Sequence, residues 1–419
     1  MFRVAAGAGL TVTLGLVTVA LAGPAAAAPV ARTGLPYTNS ACTPSGDSTT
    51  TAQASPWAQQ ALDYSSAWQY SQGQGVKVAV IDSGVDANSQ FGNRVQVGKT
   101  FASAQSGPAN GDCVGHGTMV AGIIGAAKSS QTSFAGVAPG ATIESIKVTN
   151  SEDQGISART LAQAIGQAIT SGARVINVSI ATPGDDPSLR GVIEYALQHN
   201  VVVVAAAGND KPAQSGHPAE KGPFYPASYP GVLSVGAVDS TGALAPFSDR
   251  HSDAGVTAPG TDVTSTFPGP SGDTYRAEQG TSFAAPFVSG LAALIIARDP
   301  GLTAAQVVQR IEDTADGSIG TGSGNGLINP VQALTGQVPA DEASPQAAPA
   351  GAVKINRAPA NLSRKVVALS LAGGAFAIAV IVIAAAVVIP AGRRRGWRPG
   401  GSGSDARPAA NDAVYRARI

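Results

Sequence analysis

Along the middle of this chain, apolar segments of strand length alternate with segments of helical periodicity. The first apolar segment, 76–81, is interrupted only by Lys77 and is followed directly by Asp82. A short continuous apolar run is typical of a strand that is buried on both faces of a parallel sheet. The alternation therefore predicts an α/β fold with a doubly wound parallel sheet, helices on both of its faces, and ligand binding beyond the carboxyl ends of the strands.

The same alternation continues toward the C-terminus and sets the extent of the predicted globular domain, 75–335. Further strands are predicted at 142–148, 175–180, 201–206 and 232–238, and helices at 117–127, 158–171, 189–199 and 303–313. A long apolar run at 287–297 predicts a buried helix that begins at Ser282. Pro286 is expected in the first turn of this helix, where the backbone N–H groups have no intrahelical acceptor.

The first 28 residues have the pattern of a secretory signal peptide. Arg3 precedes an uncharged apolar stretch, and small residues with an alanine run follow. This order of charged, apolar and small-residue regions predicts cleavage near Ala27 or Ala28. An uncleaved membrane anchor is the alternative interpretation.

A second long apolar segment lies near the C-terminus. Residues 366–390 carry no charge, which is enough chain to span a hydrocarbon core of about 30 Å, so a transmembrane helix is predicted over 365–390. The arginines that follow outnumber the two basic residues that precede it, which places the tail, 391–419, in the cytoplasm. The Pro- and Ala-rich segment 336–364 is predicted to be a flexible linker. The chain is therefore expected to be a single-pass protein of the cell membrane with its main domain outside the cytoplasm.

Charge and cysteine content exclude some partners and cofactors. Basic and acidic residues are equal in number, at 27 each, and no long basic run indicates nucleic-acid binding. The only cysteines are Cys42 and Cys113. An exported domain lies where disulfides persist, so we predict that they pair; two free thiols are the alternative. No metal site or cofactor is expected, although a calcium site built from backbone carbonyls would leave no signal in the sequence.

Four polar residues stand at the ends of predicted strands or the starts of predicted helices. Asp82 ends the first strand, His116 lies between two glycines before a helix, Asn209 follows a strand, and Ser282 opens the buried helix. Each alone has a simpler interpretation as a helix cap or a turn residue. Together they supply what acyl transfer requires: a nucleophile, a base, an acid that orients the base, and a donor to the oxyanion.

The order Asp, His, Ser along the chain is that of subtilisin-type proteases. Segments 80–85, 116–118, 207–209 and 280–282 resemble the Asp, His, Asn and Ser motifs of that family. The resemblance implies that Ser282 attacks a peptide carbonyl, that His116 moves its proton and that Asp82 orients the imidazole. It also implies an oxyanion hole made by Asn209 and the Ser282 N–H. The implied substrate-binding residues are Ser179, Ile180, Ala181, Ala206, Ala207 and Gly208.

A narrower resemblance is to the mycosins, the membrane-anchored subtilases of actinobacterial type VII secretion systems. It is carried by segments 56–60, 229–237, 256–260 and 282–286, and by the order of signal, arm, protease domain, linker and membrane helix. It implies a serine endopeptidase that acts on polypeptides and associates with membrane components of a secretion system. Two alternatives are a scaffold subunit whose proteolysis is dispensable and a nonspecific surface protease.

The chain departs from the usual subtilase pattern at two places. Met119 stands where many subtilisins have histidine, and we expect it to pack rather than titrate. Segment 179–182 reads Ser-Ile-Ala-Thr where the substrate-edge motif usually ends in two glycines, so Ala181 is expected to narrow or reshape the P1 pocket. The extension 29–74 is short for a propeptide, and we expect it to remain attached and to wrap the catalytic domain.

Overall fold

The computed structural model describes residues 55–102, 107–151, 155–211, 221–251, 254–269 and 274–336. All of these residues belong to one compact unit. The predicted signal peptide, Cys42, the linker, the transmembrane helix over 365–390 and the cytoplasmic tail lie outside the described residues, and their assignments stay predictions.

The described part contains a short 3-10 turn at Ser89–Phe91 besides its helices and strands. The helices are α1 (Trp57–Leu62), α2 (Tyr64–Ala67), α3 (His116–Gly125), α4 (Ala158–Thr170), α5 (Pro187–Gln198), α6 (Thr281–Arg298), α7 (Ala304–Asp313) and α8 (Pro330–Thr335). The strands are β1 (Lys77–Asp82), β2 (Val95–Thr100), β3 (Thr142–Lys147), β4 (Val175–Val178), β5 (Thr182–Pro183), β6 (Val202–Ala206), β7 (Phe224–Tyr225), β8 (Leu233–Val238), β9 (Val256–Pro259), β10 (Val263–Phe267) and β11 (Thr274–Glu278).

Seven strands form one parallel sheet in the order β2-β3-β1-β4-β6-β8-β9. Because β1 has β3 on one side and β4 on the other, the direction in which the chain crosses the sheet reverses at β1. Ligands bind in the crevice that forms beyond the carboxyl ends of strands at such a reversal. Asp82, the last residue of β1, lies at this point.

Apolar cores cover both faces of the sheet, as predicted from the continuous apolar runs. Val78 and Val80 of β1 face one core, and Ala79 and Ile81 face the other, because successive strand side chains point to opposite faces. Helices α3, α6 and α7 contribute to the first core, and α4 and α5 to the second. The predicted α/β fold with a parallel sheet and helices is confirmed.

Helix α6 carries Ser282 through the centre of the first core. Among the described residues it is the one helix with the length and composition to cross a membrane, yet 83% of its apolar window is buried inside the protein. Its N-cap residue is Gly280, and Ser282 is its second residue, as the sequence predicted to within one position.

The structure corrects several boundaries and adds elements. The strand predicted at 175–180 ends at Val178, so Ser179 and Ile180 lie beyond it. Edge strand β2 and the antiparallel hairpin β10–β11 were not predicted. Their sequences mix polar and apolar residues and lack the continuous apolar run that marks a central strand.

The described part of the N-terminal extension packs on the domain through aromatic side chains. The Trp57 indole donates to the Thr261 carbonyl at 3.0 Å, and the Trp68 indole donates to the Val137 carbonyl at 2.8 Å. The buried Tyr64 hydroxyl donates to the Ala135 carbonyl at 2.7 Å.

Candidate active site

Asp82, His116 and Ser282 form a hydrogen-bonded row at the carboxyl edge of the sheet. His116 Nδ1 lies 2.8 Å from Asp82 Oδ1, and His116 Nε2 lies 2.9 Å from Ser282 Oγ. The Asp82 side chain is 1% exposed and the His116 side chain 15% exposed. The row therefore runs from a buried carboxylate to a hydroxyl that borders solvent. In this order the carboxylate can orient the imidazole, and the imidazole can take the proton of the hydroxyl.

Three different elements bring these side chains together. Asp82 ends β1, His116 begins α3 and Ser282 lies in the first turn of α6. The first-turn N–H groups of a helix have no intrahelical acceptor and carry partial positive charge. Ser282 is therefore placed where a developing anion is stabilised.

The backbone around the row needs glycine at two close approaches. A Cβ atom on Gly117 would lie 2.1 Å from the Gly84 carbonyl oxygen and 3.0 Å from Asp82 Cβ. Gly115 has φ +93°, and a Cβ atom there would lie 2.1 Å from the Phe267 ring. The two glycines that flank His116 in the sequence thus let the start of α3 pack against both the Asp82 segment and β10.

Asn209 follows β6 and is held by Thr281. Its Oδ1 atom accepts hydrogen bonds from the Thr281 N–H and the Thr281 hydroxyl, both at 3.0 Å. A Cβ atom built on Gly280 would lie 3.0 Å from Ser282 Oγ and 3.3 Å from Asn209 Nδ2. The hydroxyl and the amide nitrogen therefore border the same small space, which the missing side chain of Gly280 leaves open. A hydrogen-bond donor beside a nucleophile is what an oxyanion hole requires.

The carbonyl of Ser282 is bound from outside its helix. Ser179 Oγ donates to it at 2.9 Å, and Asn177 Nδ2 donates to Ser179 Oγ at 2.8 Å. Asn177 Oδ1 in turn accepts from Ser289 Oγ at 2.8 Å. This buried chain of side chains ties both the start and the middle of α6 to the end of β4.

The loop before His116 is built around the buried carboxylate of Asp112, which is 1% exposed. Asp112 Oδ1 accepts from the backbone N–H groups of Val114 and Gly115 and from Ser83 Oγ at 2.8 to 3.0 Å. Its Oδ2 atom accepts from the N–H and the hydroxyl of Thr118 at 2.8 and 2.7 Å. Asp112 thus joins the residue after Asp82 to both sides of His116.

A buried lysine lies behind the same loop. Lys147 Nζ donates to the Gly111 carbonyl at 2.5 Å. Burial lowers the pKa of the Lys147 ammonium, while the nearby carboxylates of Asp112 and Asp86 act in the opposite direction. The negative charge of Asp112 is therefore opposed by the ammonium group of Lys147, the last residue of β3.

Residues 73–348 match the peptidase S8, or subtilase, family. The chain belongs to the subtilase family of serine proteases.

Among curated relatives, subtilisin E from Bacillus subtilis is 42% identical over 259 residues. The match covers 61% of this chain and 65% of that subtilase, so it spans less than two thirds of the relative's length. Among solved structures, the MycP3 protease from the type VII (ESX-3) secretion system is 35% identical with a TM-score of 0.61, covering 70% of this chain and 91% of that one. The predicted resemblance to the mycosins is confirmed.

A second structural neighbour comes from a larger complex. The structure of the periplasmic assembly from the ESX-5 inner membrane complex contains a chain that is 30% identical to this subtilase, with a TM-score of 0.61. The match covers 76% of this chain and 93% of that one.

The residues that the subtilase resemblance assigned to substrate binding lie on two segments, 179–181 just after β4 and 206–208 at the end of β6. Ala207 is fully buried and its N–H donates to the Val235 carbonyl at 3.0 Å. The Gly208 N–H donates to Thr281 Oγ1 at 3.2 Å, and the Gly208 carbonyl accepts from the Asp249 N–H. Segment 206–208 is therefore held by the sheet and by α6, whereas Ile180 and Ala181 are partly exposed.

Sequence reasoning missed several groups of this site. Asp112 stands four residues before His116, the residue at which the helix begins. An Asp in such a loop commonly binds nearby backbone N–H groups, so its place in the sequence was a usable signal. Phe283, whose ring centroid lies 4.8 Å from that of His116, and Thr281, which binds Asn209, gave no local signal. Their contacts come from segments far apart in the chain.

One group of ionisable side chains near Asn209 has ligand atoms close enough for a metal ion. Among the described residues, Asp210, Asp249 and His251 are the group whose candidate ligand atoms all lie within 4.8 Å of one another. Burial, followed by the charge of Asp249, raises the pKa of the Asp210 carboxyl. The expectation of no metal or cofactor stays a prediction. The Cys42–Cys113 disulfide also stays a prediction, because Cys42 lies outside the described residues.

Proposed function

We propose that this chain is a membrane-anchored serine endopeptidase of subtilisin type that takes part in type VII protein secretion. The observation that carries the enzymatic part is the row of hydrogen bonds from Asp82 through His116 to Ser282. In a subtilase, these three residues in this chain order form a catalytic triad.

The geometry supports the following course of peptide cleavage. Ser282 Oγ attacks the carbonyl carbon of the scissile bond while His116 Nε2, 2.9 Å away, accepts its proton. Asp82 accepts the hydrogen bond from Nδ1, which fixes the tautomer and stabilises the imidazolium. His116 then returns the proton to the leaving amine, which leaves an acyl group on Ser282 Oγ. In the second half of the reaction water attacks this acyl group while His116 takes a proton from the water, and His116 returns that proton to Ser282 Oγ as the product acid leaves.

Two donors would stabilise the tetrahedral intermediate. Asn209 Nδ2 borders the space beside Ser282 Oγ, and the Ser282 N–H lies in the first turn of α6. Removal of one such donor costs on the order of 100- to 1,000-fold in kcat. Asn209→Ala is therefore expected to lower kcat by that factor while KM for a short peptide changes little.

The proposed location and partners rest on the sequence and on the comparisons together. The signal-like segment 1–28 and the apolar segment 365–390 support a single-pass membrane protein with an extracytoplasmic domain. The likeness to MycP3 and to a chain of the ESX-5 periplasmic assembly supports membrane components of a secretion system as partners. The second candidate function, a scaffold within such an assembly, draws on the same likeness.

The variant Ser282→Ala separates the two functions. We expect it to abolish peptide cleavage and labelling by a fluorophosphonate probe, while the purified protein keeps its thermal unfolding temperature. Secretion is then measured in cells that carry this variant in place of the parent chain. If secretion persists without cleavage, the scaffold function is the main one; if the variant still cleaves peptides, Ser282 is not the nucleophile.

A further inference from the structure

The position of the P1 side chain follows from the proposed chemistry, on which this inference rests. When Ser282 Oγ attacks the P1 carbonyl carbon and Asn209 binds its oxygen, the P1 Cα lies one bond from the attacked atom. Two backbone segments flank that point. Segment 179–181 is bonded to Ser282 through the Ser179 hydroxyl, and segment 206–208 is followed directly by Asn209. Both segments extend the neighbouring strands β4 and β6, so the P1 side chain enters the gap between them.

A buried aromatic ring packs against one flank of this gap. Phe224 is 4% exposed. A Cβ atom on Gly208 would lie 2.1 Å from Phe224 Cδ2 and 2.6 Å from Cγ, so the ring packs directly on the Gly208 backbone. In the antiparallel pair β5–β7, Phe224 is opposite Pro183, just beyond segment 179–181. The ring is thus held against one flank and beside the continuation of the other.

We infer that the Phe224 ring forms the floor of the P1 pocket and limits the substrates of this protease to polypeptides with a small P1 residue, such as Gly, Ala or Ser. Gly208, whose φ is +108°, has no side chain to hold the ring away from the gap. Ala181 adds a methyl group on the opposite flank. A bulky P1 side chain would have to displace a ring that is packed on backbone, whereas a methyl or hydroxymethyl group fits above it.

The test measures kcat/KM of the full-length chain in detergent with two fluorogenic tetrapeptides that differ only in P1, Ala or Phe. One methylene in an apolar pocket changes kcat/KM by about 10- to 200-fold, so the parent chain is expected to prefer P1 Ala by at least about tenfold. Phe224→Ala is expected to raise kcat/KM for the P1 Phe peptide by about tenfold or more. A parent chain that cleaves the P1 Phe peptide as well as or better than the P1 Ala peptide would overturn the inference.

Controls separate pocket shape from folding. Phe224→Leu removes less volume from the core and is expected to shift the preference in the same direction by a smaller factor. Phe134→Leu shortens another buried phenylalanine, which packs edge-on against Tyr275, and should leave the P1 preference unchanged. Thermal unfolding of each variant identifies those that are folded. An unchanged preference in a folded Phe224 variant contradicts the inference.

Two further measurements distinguish failure of the inference from failure of the proposed function. Labelling of Ser282 by a fluorophosphonate reports the nucleophile without reference to P1. A labelled enzyme that prefers P1 Phe overturns the pocket inference alone, and an unlabelled chain overturns the proposed function. In the second case, fluorescence anisotropy with the Ser282→Ala chain still compares the affinities of the two peptides. Tighter binding of the P1 Ala peptide supports the inference, and equal or reversed affinities contradict it.

Discussion

Ser179 donates its hydroxyl hydrogen to the carbonyl oxygen of Ser282 at 2.9 Å. In an uninterrupted helix, that carbonyl would accept from the N–H of the residue four positions later. Here that residue is Pro286, which has no N–H. The proline thus leaves the carbonyl of the proposed nucleophile to a side chain from the substrate-flanking segment. The Ser179–Ser282 bond joins the helix that carries the nucleophile to the wall that would bind the peptide.

This arrangement predicts a coupling between Ser179 and Pro286. Ser179→Ala leaves the Ser282 carbonyl without its donor and should lower the free energy of unfolding by about 1–3 kcal/mol. Adding Pro286→Ala supplies a backbone N–H to the same carbonyl and should recover part of that loss. Urea unfolding of the two single variants and the double variant, all made in the inactive Ser282→Ala background, measures the coupling. Losses that simply add would show that the proline and the serine act independently.

Asp112 is expected to be a positioning residue for His116. Asp112→Ala leaves the donors on Ser83 and Thr118 and the N–H groups of residues 114 and 115 without their charged acceptor, which should cost about 3 kcal/mol or more of stability. In the folded fraction, kcat should fall more than KM changes, because Asp112 lies behind the imidazole rather than at the substrate.

The matched control for Asp112 is Asp313→Ala, which removes an exposed carboxylate that accepts from the Gln309 side chain on the same helix. Its effect on stability should stay within about 0.5 kcal/mol, as for most surface substitutions. Active-site titration gives the folded fraction, and steady-state kinetics with one peptide gives kcat and KM. A KM effect larger than the kcat effect in Asp112→Ala would argue against a role through His116.

The sequence predicted the parts of this molecule that depend on local pattern. The apolar run before Asp82 predicted a doubly buried strand and the carboxyl edge at which Asp82 lies, because burial on both faces imposes a continuous apolar sequence. It misplaced the end of β4, since Ser179 leaves the strand to bind Ser282, a residue far away in the chain. It also placed Pro286 in the first turn, whereas the structure has it as the sixth residue of α6. That position is tolerated because a tertiary hydrogen bond satisfies the carbonyl, and no local rule could show this.

The described part of the extension, residues 55–74, is predicted to stay with the mature protein. Trp57, Tyr64 and Trp68 each donate to a backbone carbonyl of the domain, so removing residues 29–74 would leave three carbonyls without these donors and expose apolar surface. Intact-mass measurement of mature protein should give a start near residue 28 or 29. A start near Gly73 would contradict the prediction.

The side chain of Asp210 should make stability fall as pH rises. Burial first, and then the charge of Asp249, raises the pKa of the Asp210 carboxyl above its ordinary value of 3.8. A raised carboxyl pKa means that the folded state binds the proton more tightly than the unfolded state does. The stability it contributes is complete below pH 3.8 and is lost as pH rises through the folded-state pKa. The neighbouring His251, paired with Asp249, acts in the opposite direction on the pKa of the Asp210 carboxyl and offsets part of this effect.

Asp210→Asn removes the charge that is penalised and should therefore raise the unfolding temperature at pH 7 while leaving it nearly unchanged at pH 3.5. Asp239→Asn is the contrasting control, because hydrogen bonds from Thr241 and Ala243 lower the pKa of the Asp239 carboxyl. A lowered pKa stabilises the folded state above pH 3.8, so this second variant should lose stability at pH 7 and not gain it. Thermal unfolding at the two pH values, in the Ser282→Ala background to prevent self-cleavage, checks both signs. A loss of stability at pH 7 in Asp210→Asn would contradict the prediction.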